Sequence, residues 1–222
     1  MKTLRCVPPE SRRGRSTAVI SAVFLLSLWM AGLGMPDAPL AAGKSVGGPF
    51  TMTNHTGKTV TDRDFRGRFM LIYFGYTYCP DVCPTGLFDM SEALDMLGDD
   101  ADLVQPLFVT IDPQRDTPKV MAEYVALYHP RLIGLTGSAE ETERLARAYH
   151  VYYSEYVDHD LSGYQLDHTA NIYFMGPDGQ YLTFFPYAHP PNLMAEEMKS
   201  LIDRFRTDGF VRHGHEASGG YL

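Results

Sequence analysis

The fold of this chain is most clearly indicated by the sequence Tyr73-Phe-Gly-Tyr-Thr-Tyr-Cys-Pro-Asp-Val-Cys-Pro84. The apolar run that leads into it, Phe69 to Gly75, is typical of a buried strand, and a helical pattern follows it. Chemistry in α/β sheets lies at such junctions, where a strand ends and a helix begins. The thiols of Cys79 and Cys83 can close a disulfide, hold a soft metal ion, or do both at different times. Which of these uses applies depends on whether a third metal ligand is present and on the cellular compartment of the protein.

The first forty residues indicate the compartment. A basic region, residues 1–16, precedes an uncharged and largely apolar segment over residues 17–36. A helix of about 20 residues is about 30 Å long and can cross a bilayer, so this segment is expected to be a transmembrane anchor. A cleaved signal peptide remains an alternative, because Leu40-Ala-Ala42 resembles a signal-peptidase site. Whether the segment is an anchor or a signal peptide, the domain that follows it is expected outside the cytoplasm. This location is the periplasm in a bacterium or the intermembrane space in a mitochondrion.

The rest of the chain is expected to be one acidic domain with loose ends. Residues 37–48 form a tether, residues 49–207 form the domain, and residues 208–222 are a flexible tail. Because residues 1–42 carry a formal charge of +3, the remaining 180 residues carry −11. Such a domain repels nucleic acid, so DNA or RNA binding is not expected. A domain of this size buries an adequate core without a disulfide framework, which favours a functional site for the thiol pair.

Hydrophobic periodicity predicts alternating strands and helices. The predicted strands are Phe69–Gly75, Pro106–Ile111, Leu132–Leu135, Thr169–Met175 and Tyr181–Phe185, and the predicted helices begin at Pro84, Pro118, Ser138 and Asn192. The order β-α-β-α-β-α, then a β-hairpin and a last helix, predicts an α/β thioredoxin-like fold with a mixed central sheet flanked by helices. That fold keeps its reactive cysteines after the central strand.

The spacing of the cysteines is compatible with a metal site as well as with a redox role. Three residues separate Cys79 from Cys83, and Pro84 disfavours helical backbone at Cys83, so the pair is expected in a loop above the helix. Both sulfurs can then point to one place near a helix N-terminus, which favours thiolate over thiol. Copper(I) prefers thiolates and accepts two or three ligands, so two sulfurs plus one imidazole suit it. Structural zinc usually requires a fourth ligand.

His168 is the best placed of the eight histidines to be a third ligand. It lies in Leu166-Asp-His-Thr169, between a polar loop over Val157 to Gln165 and the next strand. A capping or hydrogen-bonded histidine is the alternative. The weaker candidates are His189, then His129, His150 and His159, which are expected to be solvated, and His213 and His215 in the tail.

Three acidic residues have both a functional and a structural explanation. Asp112 and Asp116 either form an acidic patch that faces a partner or stabilise a turn and a helix cap. Asp167 either orients the ring of His168 or caps the loop.

The chain resembles the Sco (SenC) family of copper-handling proteins with a thioredoxin fold. Three stretches carry the resemblance in the family's order: Gly75-Tyr-Thr-Tyr-Cys-Pro-Asp-Val-Cys-Pro84, Val109-Thr-Ile-Asp-Pro-Gln-Arg-Asp-Thr117 and Asp167-His-Thr169. The resemblance implies that Cys79, Cys83 and His168 bind copper, as copper(I), copper(II) or both. It also implies a role in assembling the copper A site of cytochrome c oxidase subunit II.

The sequence motifs and the family resemblance are compatible with two functions from different classes. The first is a metallochaperone, which is not an enzyme and passes copper to cytochrome c oxidase subunit II or another copper acceptor. The second is a thiol-disulfide oxidoreductase, in which Cys79 and Cys83 are a redox-active pair that keeps the acceptor's cysteines reduced. The metallochaperone is the favoured interpretation.

Overall fold

The structure is a computed structural model that describes residues 45–157 and 163–207. The basic region, the predicted anchor over residues 17–36, most of the tether and the tail lie outside the described residues. Among the residues that are described, no helix is both long enough and apolar enough to cross a membrane.

The described part of the chain contains nine strands in two sheets. The strands are β1 (Thr51–Asn54), β2 (Thr59–Thr61), β3 (Phe69–Gly75), β4 (Val104–Thr110), β5 (Ile133–Thr136), β6 (Tyr153–Val157), β7 (Tyr164–His168), β8 (Ile172–Met175) and β9 (Tyr181–Phe185). The main sheet has the order β2-β1-β5-β4-β3-β8-β9, while β6 and β7 form a separate pair. Strand β3 runs parallel to β4 and antiparallel to β8, which confirms the predicted mixed sheet.

Four α-helices accompany the strands in the described residues. They are α1 (Val82–Met96), α2 (Pro118–Val125), α3 (Ala139–Ala148) and α4 (Pro191–Thr207), with short 3-10 helices at Asp62–Phe65 and Gly98–Leu103. The Thr117 side chain caps α2, and Ser138 forms a capping box with Glu141 at the start of α3. Both caps were predictable because a capping side chain acts on backbone only a few residues away.

The register of the main sheet defines the edge at which the functional residues meet. Every residue of β3 and β4 is buried, because helices or loops cover both faces of these central strands. Gly75 pairs with Thr110, so the carboxyl ends of β3 and β4 lie side by side. Ile172 pairs with Tyr73, so the start of β8 reaches the same edge. Segments that follow β3, follow β4 and precede β8 therefore converge there.

Two predicted boundaries are wrong. Helix α1 begins at Val82 rather than at Pro84. Proline is tolerated in the first turn, where backbone N–H groups have no helical acceptor, and Cys83 therefore belongs to the helix. The polar loop predicted over 157–165 overlaps the hairpin of β6 and β7, and the next strand begins only at Ile172. An isolated two-stranded hairpin buries little apolar surface, so its sequence carries a weak strand signal.

Gly75 is required by a close approach at the end of β3. A Cβ atom there would lie 2.7 Å from Cys83 Sγ and 2.9 Å from Phe108 Cε2, and both neighbouring side chains are fully buried. We expect Gly75→Ala to lower the free energy of unfolding by about 2 kcal/mol, since a packed core resists an added methyl group. Urea titration of the metal-free protein measures this. Gly48→Ala, whose Cβ would meet Ala148 only at 4.0 Å, is the control, and equal losses in both variants would contradict the argument.

Candidate metal centre

Three side chains from three elements meet at the carboxyl end of β3. Cys79 lies in the loop after β3, Cys83 in the first turn of α1, and His168 at the end of β7. Cys79 Sγ, Cys83 Sγ and a His168 ring nitrogen all lie within 4.8 Å of one another. Nε2 of His168 is 3.3 Å from Cys83 Sγ. Two sulfurs and one imidazole nitrogen in this arrangement could hold a metal ion, and they suit copper(I).

The two cysteines are free thiols in different environments. Cys83 is fully buried, whereas Cys79 keeps 7% of its surface exposed. A hydrogen bond from the Cys83 side chain outweighs burial and lowers the pKa of Cys79 to about 4. Burial raises the pKa of the Cys83 thiol well above its usual value. In the metal-free state Cys79 is therefore the thiolate, and Cys83 is the thiol that donates to it.

A backbone contact selects the tautomer of His168. Its Nδ1 lies 3.1 Å from the carbonyl oxygen of Thr169. Because a carbonyl oxygen only accepts hydrogen bonds, Nδ1 carries the proton and Nε2 turns its lone pair toward the sulfurs.

Asp167 does not orient the ring of His168, because successive residues of β7 point to opposite faces and Asp167 is exposed. The rings of Tyr73 and Tyr76 flank the imidazole at centroid distances of 6.4 and 6.0 Å.

Asp112 and Asp116 do not form an exposed acidic patch. Their exposed fractions are 3% and 0%, and the α2 cap is supplied by Thr117. The Asp116 carboxylate accepts hydrogen bonds from the Thr77 amide at 3.0 Å, the Thr77 hydroxyl at 2.5 Å and the Thr110 hydroxyl at 2.6 Å. Burial nevertheless raises the pKa of Asp116 above its usual value. Asp116 therefore ties the loop before the cysteines to the end of β4.

The other described histidines lie outside the ligand group. His129 accepts a hydrogen bond from the Arg131 amide and has a side chain only 11% exposed, so the expectation that it is solvated is wrong. The ring of His189 packs on Phe185 at a centroid distance of 5.4 Å. His150 is exposed at the end of α3, as expected. His159, His213 and His215 lie outside the described residues.

Comparison with known proteins identifies the family. The sequence matches the SCO1/SenC family profile over residues 38–203. The chain belongs to this family. Its sequence is 47% identical to the human mitochondrial protein SCO1 homolog over 142 residues, which are 63% of this chain and 47% of that protein. The chain spans about half the length of the curated mitochondrial SCO1 relatives that it matches.

Solved Sco structures have the same fold. A crystal structure of copper-bound ScoI from Arabidopsis thaliana, 37% identical, superimposes with a TM-score of 0.69 and covers 72% of this chain and 99% of that one. The structure of BsSco, described as having a disulfide switch and as a member of the Sco family of cytochrome c oxidase assembly proteins, is 26% identical. Its TM-score is 0.56, over 71% of this chain and 93% of that one. The thioredoxin-like prediction is thereby confirmed.

The two cysteines are expected to react at different rates. In the reduced, metal-free protein, Cys79 is the thiolate and is 7% exposed, whereas Cys83 is the fully buried thiol. We expect iodoacetamide to alkylate Cys79 first, at a rate nearly constant above about pH 6. The rate should fall as the pH drops toward the Cys79 pKa of about 4. Peptide mapping by mass spectrometry measures both sites, and a Cys79 rate still climbing near about pH 8 would indicate an ordinary thiol.

Removing the Asp116 carboxylate is expected to loosen the loop before Cys79. Asp116→Ala leaves the Thr77 amide and the buried Thr110 hydroxyl without their acceptor, which should lower the free energy of unfolding by about 3 kcal/mol. Urea unfolding measures the loss. The control is Asp102→Ala, because Asp102 is 87% exposed and its surface ion pair with Arg131 contributes at most about 1 kcal/mol. A loss no greater than that of the control would show that the Asp116 bonds matter little.

Proposed function

We propose that this protein binds copper through Cys79, Cys83 and His168 and delivers it to the copper A site of cytochrome c oxidase subunit II. The observation that carries the proposal is the convergence of two sulfurs and an imidazole lone pair within 4.8 Å. Soft thiolate ligands in so small a set suit copper(I). The copper-bound ScoI from Arabidopsis thaliana, which has the same fold, supports copper as the metal bound here.

The environments of the ligands suggest an order of loading. Cys79 is already a thiolate and is the more exposed sulfur, so it makes the first bond to the incoming ion. Cys83 then bonds and releases its proton to water, since only a thiolate is a good ligand. His168 completes the set as a neutral imidazole. Two thiolates and copper(I) leave a net charge of −1, which the N-terminus of α1 offsets.

Delivery then proceeds by ligand exchange. Thiolates of the acceptor replace Cys79 and Cys83 one at a time, so that copper always keeps sulfur ligands and is never released to solvent. We place this transfer outside the cytoplasm, in the periplasm or the intermembrane space, because the predicted N-terminal segment exports the domain. That segment also supplies the proposed attachment to the membrane.

The different acidities of the two cysteines favour a second candidate function, thiol-disulfide reduction. The Cys79 thiolate would attack an acceptor disulfide and form a mixed disulfide, and the departing acceptor sulfur would take up a proton. Cys83 would then lose its proton and attack Cys79, releasing the second acceptor thiol. Two electrons pass to the acceptor, and a Cys79–Cys83 disulfide remains. The disulfide switch described for BsSco supports this alternative.

The substitution His168→Ala tests the proposed copper site. We expect it to weaken copper(I) binding by at least about 100-fold while preserving a functional dithiol/disulfide couple, because it removes a ligand and neither sulfur. Competition with a chromogenic copper(I) chelator measures the affinity. X-ray absorption should count two sulfurs and one nitrogen in the parent protein. His150→Ala, at an exposed position, is the matched control.

The same variant separates the two functions. If His168→Ala holds copper as firmly as the parent, the three-ligand site is wrong. If it loses copper yet still restores oxidase assembly in cells that lack the parent protein, reduction of the acceptor is the function. Loss of both copper binding and assembly supports delivery of copper.

A further inference from the structure

His168 lies on a hairpin that is separate from the main sheet. Strands β6 and β7 pair with each other and with no other strand of the described residues. A two-stranded hairpin is only marginally stable by itself. The position of His168 relative to the sulfurs must therefore be fixed by contacts between this hairpin and the loops at the end of the main sheet.

Arg115 lies between the cysteine loop and the histidine hairpin. Its Nη1 donates a hydrogen bond to the carbonyl oxygen of Tyr164 at 2.9 Å, and its Nε donates to the Asp112 carboxylate. Its guanidinium carbon lies 3.8 Å from the Tyr164 ring centroid and 4.8 Å from that of Tyr78. Tyr164 begins β7, and Tyr78 directly precedes Cys79. One planar cation thus touches both segments that carry the proposed ligands.

Further hydrogen bonds attach the hairpin to the cysteine loop and to Asp112. The Asp112 carboxylate, already paired with the guanidinium, also accepts a hydrogen bond from the Tyr164 hydroxyl at 2.7 Å. The Tyr76 hydroxyl accepts one from the Leu166 amide at 3.1 Å and donates one to Gln165 Oε1 at 3.1 Å. The hairpin is therefore attached both to the cysteine loop, through Tyr76, and to Asp112, the carboxylate that Arg115 also binds.

The burial of Arg115 indicates that its pairing with Asp112 is not an ordinary solvent-exposed ion pair. Its side chain is only 18% exposed, and its partner Asp112 is 3% exposed. Its Nη2 is buried and finds no hydrogen-bond partner within the residues that the structure describes. A buried donor left unsatisfied is costly, so packing alone does not account for a guanidinium at this position. A flat cation with several donors can stack on two rings and bond two acceptors at once, which lysine cannot do.

We propose that Arg115 is a positioning residue for the metal centre, holding the hairpin of β6 and β7 against the cysteine loop. The inference rests on the proposed copper-binding role of Cys79, Cys83 and His168. Arg115 acts through Tyr78 on the cysteine side and through Tyr164 on the histidine side. It presents the imidazole to the two sulfurs before copper arrives. Without it, the sulfurs still bind the ion, but the imidazole is less often in place.

A double-mutant cycle between Arg115 and His168 tests the inference. Arg115→Ala is expected to weaken copper(I) binding by at least about tenfold, as removal of groups that orient a metal ligand does. In the His168→Ala background the same substitution should change the affinity by less than about twofold, since the ligand on which Arg115 acts is gone. X-ray absorption should show fewer nitrogen ligands in Arg115→Ala and an unchanged sulfur count. An equal loss of affinity in both backgrounds would overturn the inference.

Two further variants control for charge and for surface substitution. Arg115→Lys keeps the positive charge but loses the planar fork, so its copper affinity should resemble that of Arg115→Ala. Parental affinity in Arg115→Lys would show that charge alone suffices and would also overturn the inference. Arg147→Ala removes an arginine that is 68% exposed and paired with Glu143, and it should leave copper binding unchanged. A comparable loss in Arg147→Ala would show that the effect is not specific to Arg115.

A milder variant serves if Arg115→Ala does not fold. Tyr164→Phe removes only the hydroxyl that donates to Asp112 and keeps the ring beneath the guanidinium. It should weaken copper binding about threefold in the parent and leave the affinity of His168→Ala unchanged. Equal weakening in both backgrounds would contradict the inference.

The cycle also distinguishes this inference from the proposed function. If His168→Ala binds copper as tightly as the parent, the three-ligand site fails, whatever Arg115→Ala does. If His168→Ala loses affinity and Arg115→Ala does not, the site stands and only the role of Arg115 fails.

Discussion

The contact between Cys83 and the end of β3 is the constraint on which the centre depends. A buried sulfur lies where only a glycine, Gly75, leaves room for it. Because burial disfavours a thiolate there, Cys83 keeps its proton and donates a hydrogen bond to the Cys79 thiolate. The burial of Cys83 at the sheet edge therefore contributes to the chemical difference between the two cysteines. Both the proposed order of copper loading and the proposed choice of attacking sulfur follow from that difference.

The proposed ligands are held by parts of the fold that differ in rigidity. The loop and helix of the two sulfurs extend from β3, a strand in which every residue is buried. The imidazole instead lies on a hairpin joined to this core by side-chain contacts. For the proposed delivery, the protein must bind copper firmly and still release it. Two fixed sulfurs and one separately attached nitrogen allow a ligand to leave without disturbing the core.

Sequence reasoning succeeded where the signal is local. The apolar run of β3, the caps at Thr117 and Ser138, and the motifs around Cys79 and His168 can each be read within about ten residues. It failed where the partner is distant. Asp116 bonds a loop 39 residues away, and Arg115 bonds a strand 49 residues away. No periodicity or spacing encodes such contacts, so the fold had to be known before either residue could be given a role.

Copper delivery and disulfide reduction draw on the same two sulfurs, so one molecule cannot perform both at once. Reduction of an acceptor would leave Cys79 and Cys83 joined in a disulfide, and neither sulfur could then act as a thiolate ligand. A bound copper ion would in turn occupy the Cys79 thiolate that must attack the acceptor. If both activities occur, they must alternate, and an external reductant must restore the dithiol between them. The oxidation state of this pair, rather than a change of fold, would then decide which task the protein performs.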